Sequence, residues 1–494
     1  VTTFFRGGHL TINGPAAGLI AAILGGLVAL DYNINYVLAA IVVAGGIQIL
    51  LGVFKLGRFA KLLPSSVLHG ILAAIGVIII AKQAPYALGT TSDADTVIGN
   101  LLDIFYKLPD ANPFVFIVAL AGILILVFYK KTNNKIIRAI PAPMWVLLLA
   151  LPLVFGFDFF TEHSISFLGK SYGVGPKLLI DIPEDPLDCI MHPDFGMIGT
   201  MAFWLTVLSI TTIASIVTLA SARAVDKLDP YKRTTNLNKD LIGVGISTMV
   251  SGALGGLPIT SVIVRSTVNV NNNAKTKWSN LYHGIFLILF VLILAPVLRS
   301  VPLAALAAIL VHTGFKLASP LVFKHAYDQG VEQLFFLSST LIITLFSNLL
   351  YGIMGGILIT LITHILLARV GFLPFFKMIY RSGSKVDRLE NGSYDVKLKG
   401  ISNFLYALQL EKLLQEIPIG SVVRIDMSQT RLVDLSIMEN VIDFKRIQDN
   451  NGGDVKLIGL DNHVASTSHN RALKIVTGQV RKQMTKRQIR LQEM

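Results

Sequence analysis

The sequence predicts an α-helical, polytopic membrane protein followed by a small polar α/β region, and three observations carry that reading. Of 494 residues 53% are hydrophobic and only 15% charged, with a mean hydropathy of +0.64. Apolar runs approaching the ~20 residues that a bilayer crossing needs recur from Leu10 to Phe376. Beyond about Lys385 the pattern changes to short strand-like and helix-like segments.

The spans fall near 11–29, 35–56, 62–82, 113–129, 139–156, 197–222, 238–254, 258–270, 279–297, 302–318, 333–350 and 353–374, the first and eighth being short. Loop charges test this layout. After the second, fourth, sixth, eighth and tenth spans lie Lys55, Arg58 and Lys61; Lys130, Lys131, Lys135 and Arg138; Arg223, Lys227, Lys232, Arg233 and Lys239; Lys275 and Lys277; Lys316 and Lys324. Lys377, Arg381 and Lys385 follow the twelfth. The intervening loops are poor in basic residues, and the long ones, 83–112 and 157–196, are acidic. The positive-inside rule places the basic set and both chain ends in the cytoplasm. In a cell this means the inner (cytoplasmic) membrane.

In the tail, Ser393–Gly400, Ser421–Met427 and Val455–Leu460 read as strands, and Phe404–Ile417 and Leu435–Gln448 as helices. The expected division is a membrane region 1–376, a linker 377–392, an α/β domain 393–480 and a basic tail 481–494.

Composition excludes several functions. The formal charge is +13, but without a Lys/Arg block, so the partner is the lipid bilayer and not nucleic acid. A single cysteine, Cys189, rules out an intramolecular disulfide or a multi-cysteine metal site. Recognisable catalytic triads and nucleotide-binding glycine loops are absent: no Gly-Lys-Ser/Thr follows Gly255-Gly256. No enzyme and no cofactor is expected. The chain opens on Val1 and enters a span almost at once, so a preceding N-terminal portion is expected to be missing.

Two stretches share one grammar. Gly255-Gly256-Leu257-Pro258 leads into a short segment carrying Thr260, Ser261 and Arg265, and Asn13-Gly14-Pro15 leads into Ala16-Ala17-Gly18. Proline suits a first helical turn, so each reads as a half-helix starting at its proline. A helix N-terminus presents unpaired N–H groups and about half a positive charge, which suits an anion. Two such segments in different halves of a membrane chain point to an inverted-repeat transporter with its site at the repeat interface.

At this point the chain resembles the sulfate permease (SulP) family of anion transporters. The residues carrying the resemblance are Ile12–Gly18, Val67-Leu68-His69-Gly70-Ile71 with Ala81-Lys82-Gln83, Asn238–Gly245, Gly255–Pro258, Arg265-Ser266 and Val301–Leu310. The tail resembles the family's STAS domain, with Ile425-Asp426-Met427-Ser428 closing its central strand. The resemblance implies a seven-plus-seven inverted-repeat fold, of which this chain would hold the third to fourteenth segments. The two absent helices would include one that helps line the substrate site. A homodimer is implied too.

The resemblance further implies that the half-helices meet N-terminus to N-terminus around a small inorganic anion, bicarbonate or sulfate. Backbone N–H groups of Ala16, Ala17, Ile259, Thr260, Ser261 and Val262 would be donors, with the Thr260 and Ser261 hydroxyls adding to them. Those hydroxyls also have an ordinary alternative, bonding their own preceding carbonyls. Arg265, seven residues past Pro258, would sit about 10 Å along the helix and raise the local potential; the alternative is snorkelling to the interface. On the segment Ile210–Leu219, Val217 stands where many relatives carry an acidic residue. A Na+ or H+ coupling site would then rest on Thr218, Ser215, backbone carbonyls or the absent helices. His69 and His283 read as packed or interfacial histidines. Asp434-Leu435-Ser436 occupies the place of the phosphorylatable serine of bacterial antagonists, with the surrounding motif changed. A nucleobase-type carrier of the same fold and a non-transporting membrane-tethered regulator remain as rival readings.

Overall fold

The computed structural model describes residues 1–476 apart from 17–18, 58–61, 93, 95, 133, 135–136, 139, 182–189, 232, 348 and 391. Ala17, Cys189 and the basic tail 481–494 therefore lie outside the described residues.

A helix lies in each of the twelve expected spans. After a single turn, α1 (Thr2–Phe5), come α2 (Ile20–Ala29), α3 (Ile34–Val53) and α4 (Ser65–Leu88). The loop helix α5 (Val97–Lys107) precedes α6 (Pro113–Phe128) and α7 (Ala142–Gly156), after which come the paired strands β2 (His163–Phe167) and β3 (Lys170–Val174). Then follow α8 (Met201–Leu228), α9 (Leu237–Ala253), α10 (Ile263–Asn271), α11 (Trp278–Arg299) and α12 (Leu303–Leu317). The short α13 (Pro320–Gln329) leads to α14 (Val331–Phe346) and α15 (Leu349–Ala368). Among the described residues six helices are long and apolar enough to cross a bilayer by themselves.

The chain divides into two compact units. One comprises 1–57, 72–319 and 345–350; the other 58–71, 320–344 and 351–494. Within the first, α3 and α9 touch backbone to backbone: a Cβ on Gly45 would meet the Gly245 carbonyl at 2.7 Å, and one on Gly245 the Gly45 carbonyl at 2.7 Å. The same reciprocity joins α4 to α12, through Gly76 and Gly314 at 2.5 and 2.6 Å. Small residues at such crossings let membrane helices approach closely, because lipid offers no hydrophobic drive to pair them. Helix α11 turns the run Ile285–Ile293 outward, as a lipid-facing span does, and departs from helical geometry at Leu294, two residues before Pro296.

The second unit holds a six-stranded sheet, β5 (Lys385–Arg388), β6 (Tyr394–Ser402), β7 (Val422–Val433), β8 (Asp454–Ile458), β9 (His463–Ala465) and β10 (Lys474–Val476). The three strands expected from sequence are β6, β7 and β8, and they pair in parallel. Helices α17 (Ala407–Gln415) and α18 (Leu435–Asn450) provide the crossovers, after the short α16 (Phe372–Tyr380). Val396, Leu398, Ile425, Met427, Met438 and Val441 close the core. Asp434 caps α18, accepting Ile437 N–H at 2.9 Å and Phe404 N–H at 2.7 Å. Ser436, in the first turn of that helix, is 8% exposed. Strand β5 falls inside the stretch expected to be linker and pairs antiparallel with β6.

Candidate functional site

The two proline stretches come together, though not as helix starts. Each proline lies five residues ahead of its helix: Pro15 before Ile20, and Pro258 before Ile263. Thr260–Ser261, in the interval before α10, and Asn13–Gly14, just ahead of Pro15, are extended chain. Asn13–Gly14 (β1) pairs antiparallel with Thr260–Ser261 (β4), with Asn13 opposite Ser261 and Gly14 opposite Thr260. The backbone groups at this crossing are satisfied across some 250 residues of sequence and not by a local turn. Val262 N–H donates to the Ile12 carbonyl at 2.9 Å. Ser266 completes the pair: its hydroxyl accepts from Ile12 N–H at 2.8 Å and donates to the Val262 carbonyl at 2.7 Å.

The backbone donors expected from sequence therefore already have protein partners in three cases. Besides Val262, Ile259 N–H donates to Thr248 Oγ1 at 3.2 Å and Ser261 N–H to Thr218 Oγ1 at 3.4 Å. The hydroxyls likewise turn into the protein: Thr260 Oγ1 donates to the Gly14 carbonyl at 3.4 Å and Ser261 Oγ to Asp240 Oδ2 at 3.3 Å. Thr218, Thr260 and Ser261 are fully buried. Ala16 is half-buried, its carbonyl accepting from Leu19 N–H at 3.0 Å, and Ala17 is outside the described residues.

Arg265 is placed differently from the sequence expectation. Because α10 begins at Ile263, Arg265 is its third residue, in the first turn and not some 10 Å beyond the helix end. It is exposed, and its guanidinium lies against Gly14: a Cβ there would come 2.5 Å from Nη1. Val262, which caps α10, contributes no side-chain acceptor to the first-turn N–H groups.

Sequence reasoning missed the polar scaffold beneath the crossing. Arg6 and Asp240 form a fully buried ion pair, Nε to Oδ1 at 4.0 Å. Arg6 Nη1 donates to the Thr11 carbonyl at 2.5 Å and Asn13 Oδ1 at 3.2 Å, and Nη2 to Thr11 Oγ1. Asp240 accepts from Gly8 N–H at 3.1 Å as well as from Ser261. Asn280 holds Asn13 from α11, accepting its N–H at 2.9 Å. Asp240 belongs to the Asn238–Gly245 stretch that carries the family resemblance; an acid amid apolar helix was the available signal.

The model of the sulfate permease family matches residues 9–340, two thirds of the chain and the whole of this crossing. The chain belongs to the sulfate permease family. This family consists of anion transporters and not enzymes, and its member here is a multi-pass membrane protein. It is 27% identical over 365 residues to the putative sulfate transporter YvdB of Bacillus subtilis, covering 74% of this chain and 65% of that one. To the bicarbonate transporter BicA of Synechocystis it is 25% identical, over 70% of this chain and 58% of the relative. The chain thus spans less than two thirds of these relatives' length. The fold is similar to the transmembrane domain of a cyanobacterial bicarbonate transporter BicA, with TM-score 0.59 and 22% identity over 71% of this chain and 86% of that domain. It is also similar to the murine solute carrier 26 family member A9 anion transporter in its inward-facing state. There the TM-score is 0.62 and the identity 18%, over 98% of this permease-family chain and 80% of that one.

Proposed function

We propose that this chain is a secondary carrier of a small inorganic anion of the bicarbonate or sulfate class, which it holds at the β1–β4 crossing. The observation that carries the reading is the antiparallel pairing of the two segments that lead into α2 and α10. An antiparallel pair releases its two chains at opposite ends, so both helices direct their N-termini at the crossing and sum to roughly one positive charge. Arg265 adds a full charge beside Gly14.

The first-turn N–H groups of α10, Ile263 to Arg265, together with those of Ala16 and Ala17, are the donors to the anion. Thr218, Ile259, Thr260, Ser261 and Val262 are the frame that holds them, since their polar groups are engaged within the protein. Backbone donors read charge and size, so bicarbonate and sulfate compete for one site. With Val217 in the place of the relatives' acid, transport runs without sodium. The chain sits in the cytoplasmic membrane with the C-terminal side inside, as its basic loops indicate. The sheet β6-β7-β8 with α17 and α18 acts as a STAS-like regulatory domain, and the carrier works as a homodimer.

The test is uptake of radiolabelled bicarbonate and sulfate into proteoliposomes holding the full chain, with and without a sodium gradient. Sodium-independent uptake of either anion, inhibited by the other, supports the reading. Sodium-driven uptake overturns the coupling claim, and no uptake of either anion overturns the carrier.

A further inference from the structure

Helix α5, between spans α4 and α6, is built inside out. Its polar side chains turn toward its own preceding loop. Asn100 is 2% exposed and donates Nδ2 to the carbonyls of Ala94 at 2.9 Å and Thr96 at 2.8 Å. Asp103 Oδ2 accepts from Ser92 Oγ at 2.7 Å, and Lys107 Nζ donates to the Thr91 carbonyl. Three large apolar side chains turn out: Leu102 is 52% exposed, Phe105 74% and Tyr106 77%. Spacings of three and four residues put these three on one helix face. A helix facing water has the reverse arrangement, apolar stripe inward and charges outward.

The tether says what covers that face. Residues 108–112 join α5 to α6, which begins at Pro113. Fully extended, such a link reaches no more than about 18 Å. The helix is therefore held at the level where α6 enters the bilayer. Below it, α6 continues the apolar surface with exposed Phe116, Ile117 and Leu120. Aromatic side chains with one polar tip, such as Tyr106, favour that depth.

We propose that α5 lies along the bilayer interface with Leu102, Phe105 and Tyr106 in lipid. There it anchors the end of the molecule formed by α4 and α6, on the face opposite the basic loops. Interfacial helices of this kind sink their apolar face roughly 5–10 Å into the headgroup–acyl boundary.

The single cysteine makes the test direct. In a Cys189→Ser background, Phe105→Cys and, separately, Leu102→Cys are spin-labelled. Each protein is reconstituted into phosphatidylcholine–phosphatidylglycerol vesicles. Collisions with oxygen, which partitions into lipid, are compared with those of a water-soluble nickel chelate. At both sites oxygen is expected to dominate by several-fold, whereas Asp110→Cys, whose native side chain is 78% exposed just past the helix, favours nickel. Nickel dominance at 105 and 102 overturns the proposal in favour of a water-facing helix. Low accessibility to both reagents overturns it in favour of a protein partner, such as a second copy of this chain.

Discussion

The guanidinium of Arg265 lies over the backbone of Gly14, so close that a Cβ on Gly14 would sit 2.5 Å from Nη1. The contact joins the third residue of α10 to the strand that leads into α2, across 251 residues of sequence (265 − 14). In the site proposed above it adds a fixed charge to the two helix N-termini, which favours an anion. Arg265→Gln should raise the half-saturating anion concentration about tenfold, equivalent to about 1.4 kcal/mol. Arg265→Lys should recover part of that loss, because it restores charge without the planar fork. Initial rates of labelled uptake against anion concentration measure both.

The Arg6–Asp240 pair should behave as buried ion pairs do. Removing one partner, as in Asp240→Leu, leaves the other charge stranded and should cost about 3–5 kcal/mol. The double variant Arg6→Met with Asp240→Leu should lose less than the sum of the single changes. Unfolding midpoints of the four purified proteins in one detergent test the coupling. Strictly additive losses would mean that the pair only fills space.

The α3–α9 crossing makes a sharper steric prediction. Gly45→Ala drives a methyl into the Gly245 carbonyl and the Met249 backbone, both at 2.7 Å, and should cost about 1–3 kcal/mol. Gly46→Ala, whose new Cβ would meet only Met249 Sδ at 4.0 Å, should be neutral or slightly stabilising. Thermal midpoints of the two variants, one residue apart, should diverge by several degrees.

Asp434 gives the C-terminal sheet region a pH dependence. Burial pushes its carboxyl up from 3.8 to about 7, against the opposing effect of the Ile437 and Phe404 N–H groups it caps. Between these values the native state keeps a proton that the unfolded chain has lost, so stability falls as pH rises from about 4 to 7. Unfolding followed from pH 5 to 8 should show that decline. Asp434→Asn, which keeps an acceptor for the cap but cannot ionise, should flatten it.

What the sequence made legible divides along physical lines. Most spans were readable because they are long apolar runs, and β6, β7 and β8 because each carries apolar residues that enter the core of the sheet. The start of α10 was misplaced, since Pro258 has the local chemistry of a first helical turn. Pairing of Thr260 and Ser261 with Gly14 and Asn13 keeps the chain after Pro258 extended, and no local pattern encodes a bridge between residues so far apart. Arg6 escaped notice for the same reason: its partner Asp240 lies 234 positions away (240 − 6). Strands β9 and β10 are three residues each, too short to show a period. The inverted face of α5 was present in the spacing of Leu102, Phe105 and Tyr106, but only the inward bonds of Asn100 and Asp103 show which side faces out.

The measurement that tests the site most directly compares two glycine-to-alanine variants in the uptake assay. Gly14→Ala pushes the Arg265 guanidinium off the crossing, whereas Gly25→Ala, in the middle of α2, adds a methyl with nothing within 4 Å. An anion held at the crossing predicts that Gly14→Ala raises the half-saturating concentration tenfold or more, while Gly25→Ala matches the unaltered protein. Equal uptake by all three proteins, with the Gly14→Ala protein as well folded as the others, would contradict the placement of the anion between α2 and α10.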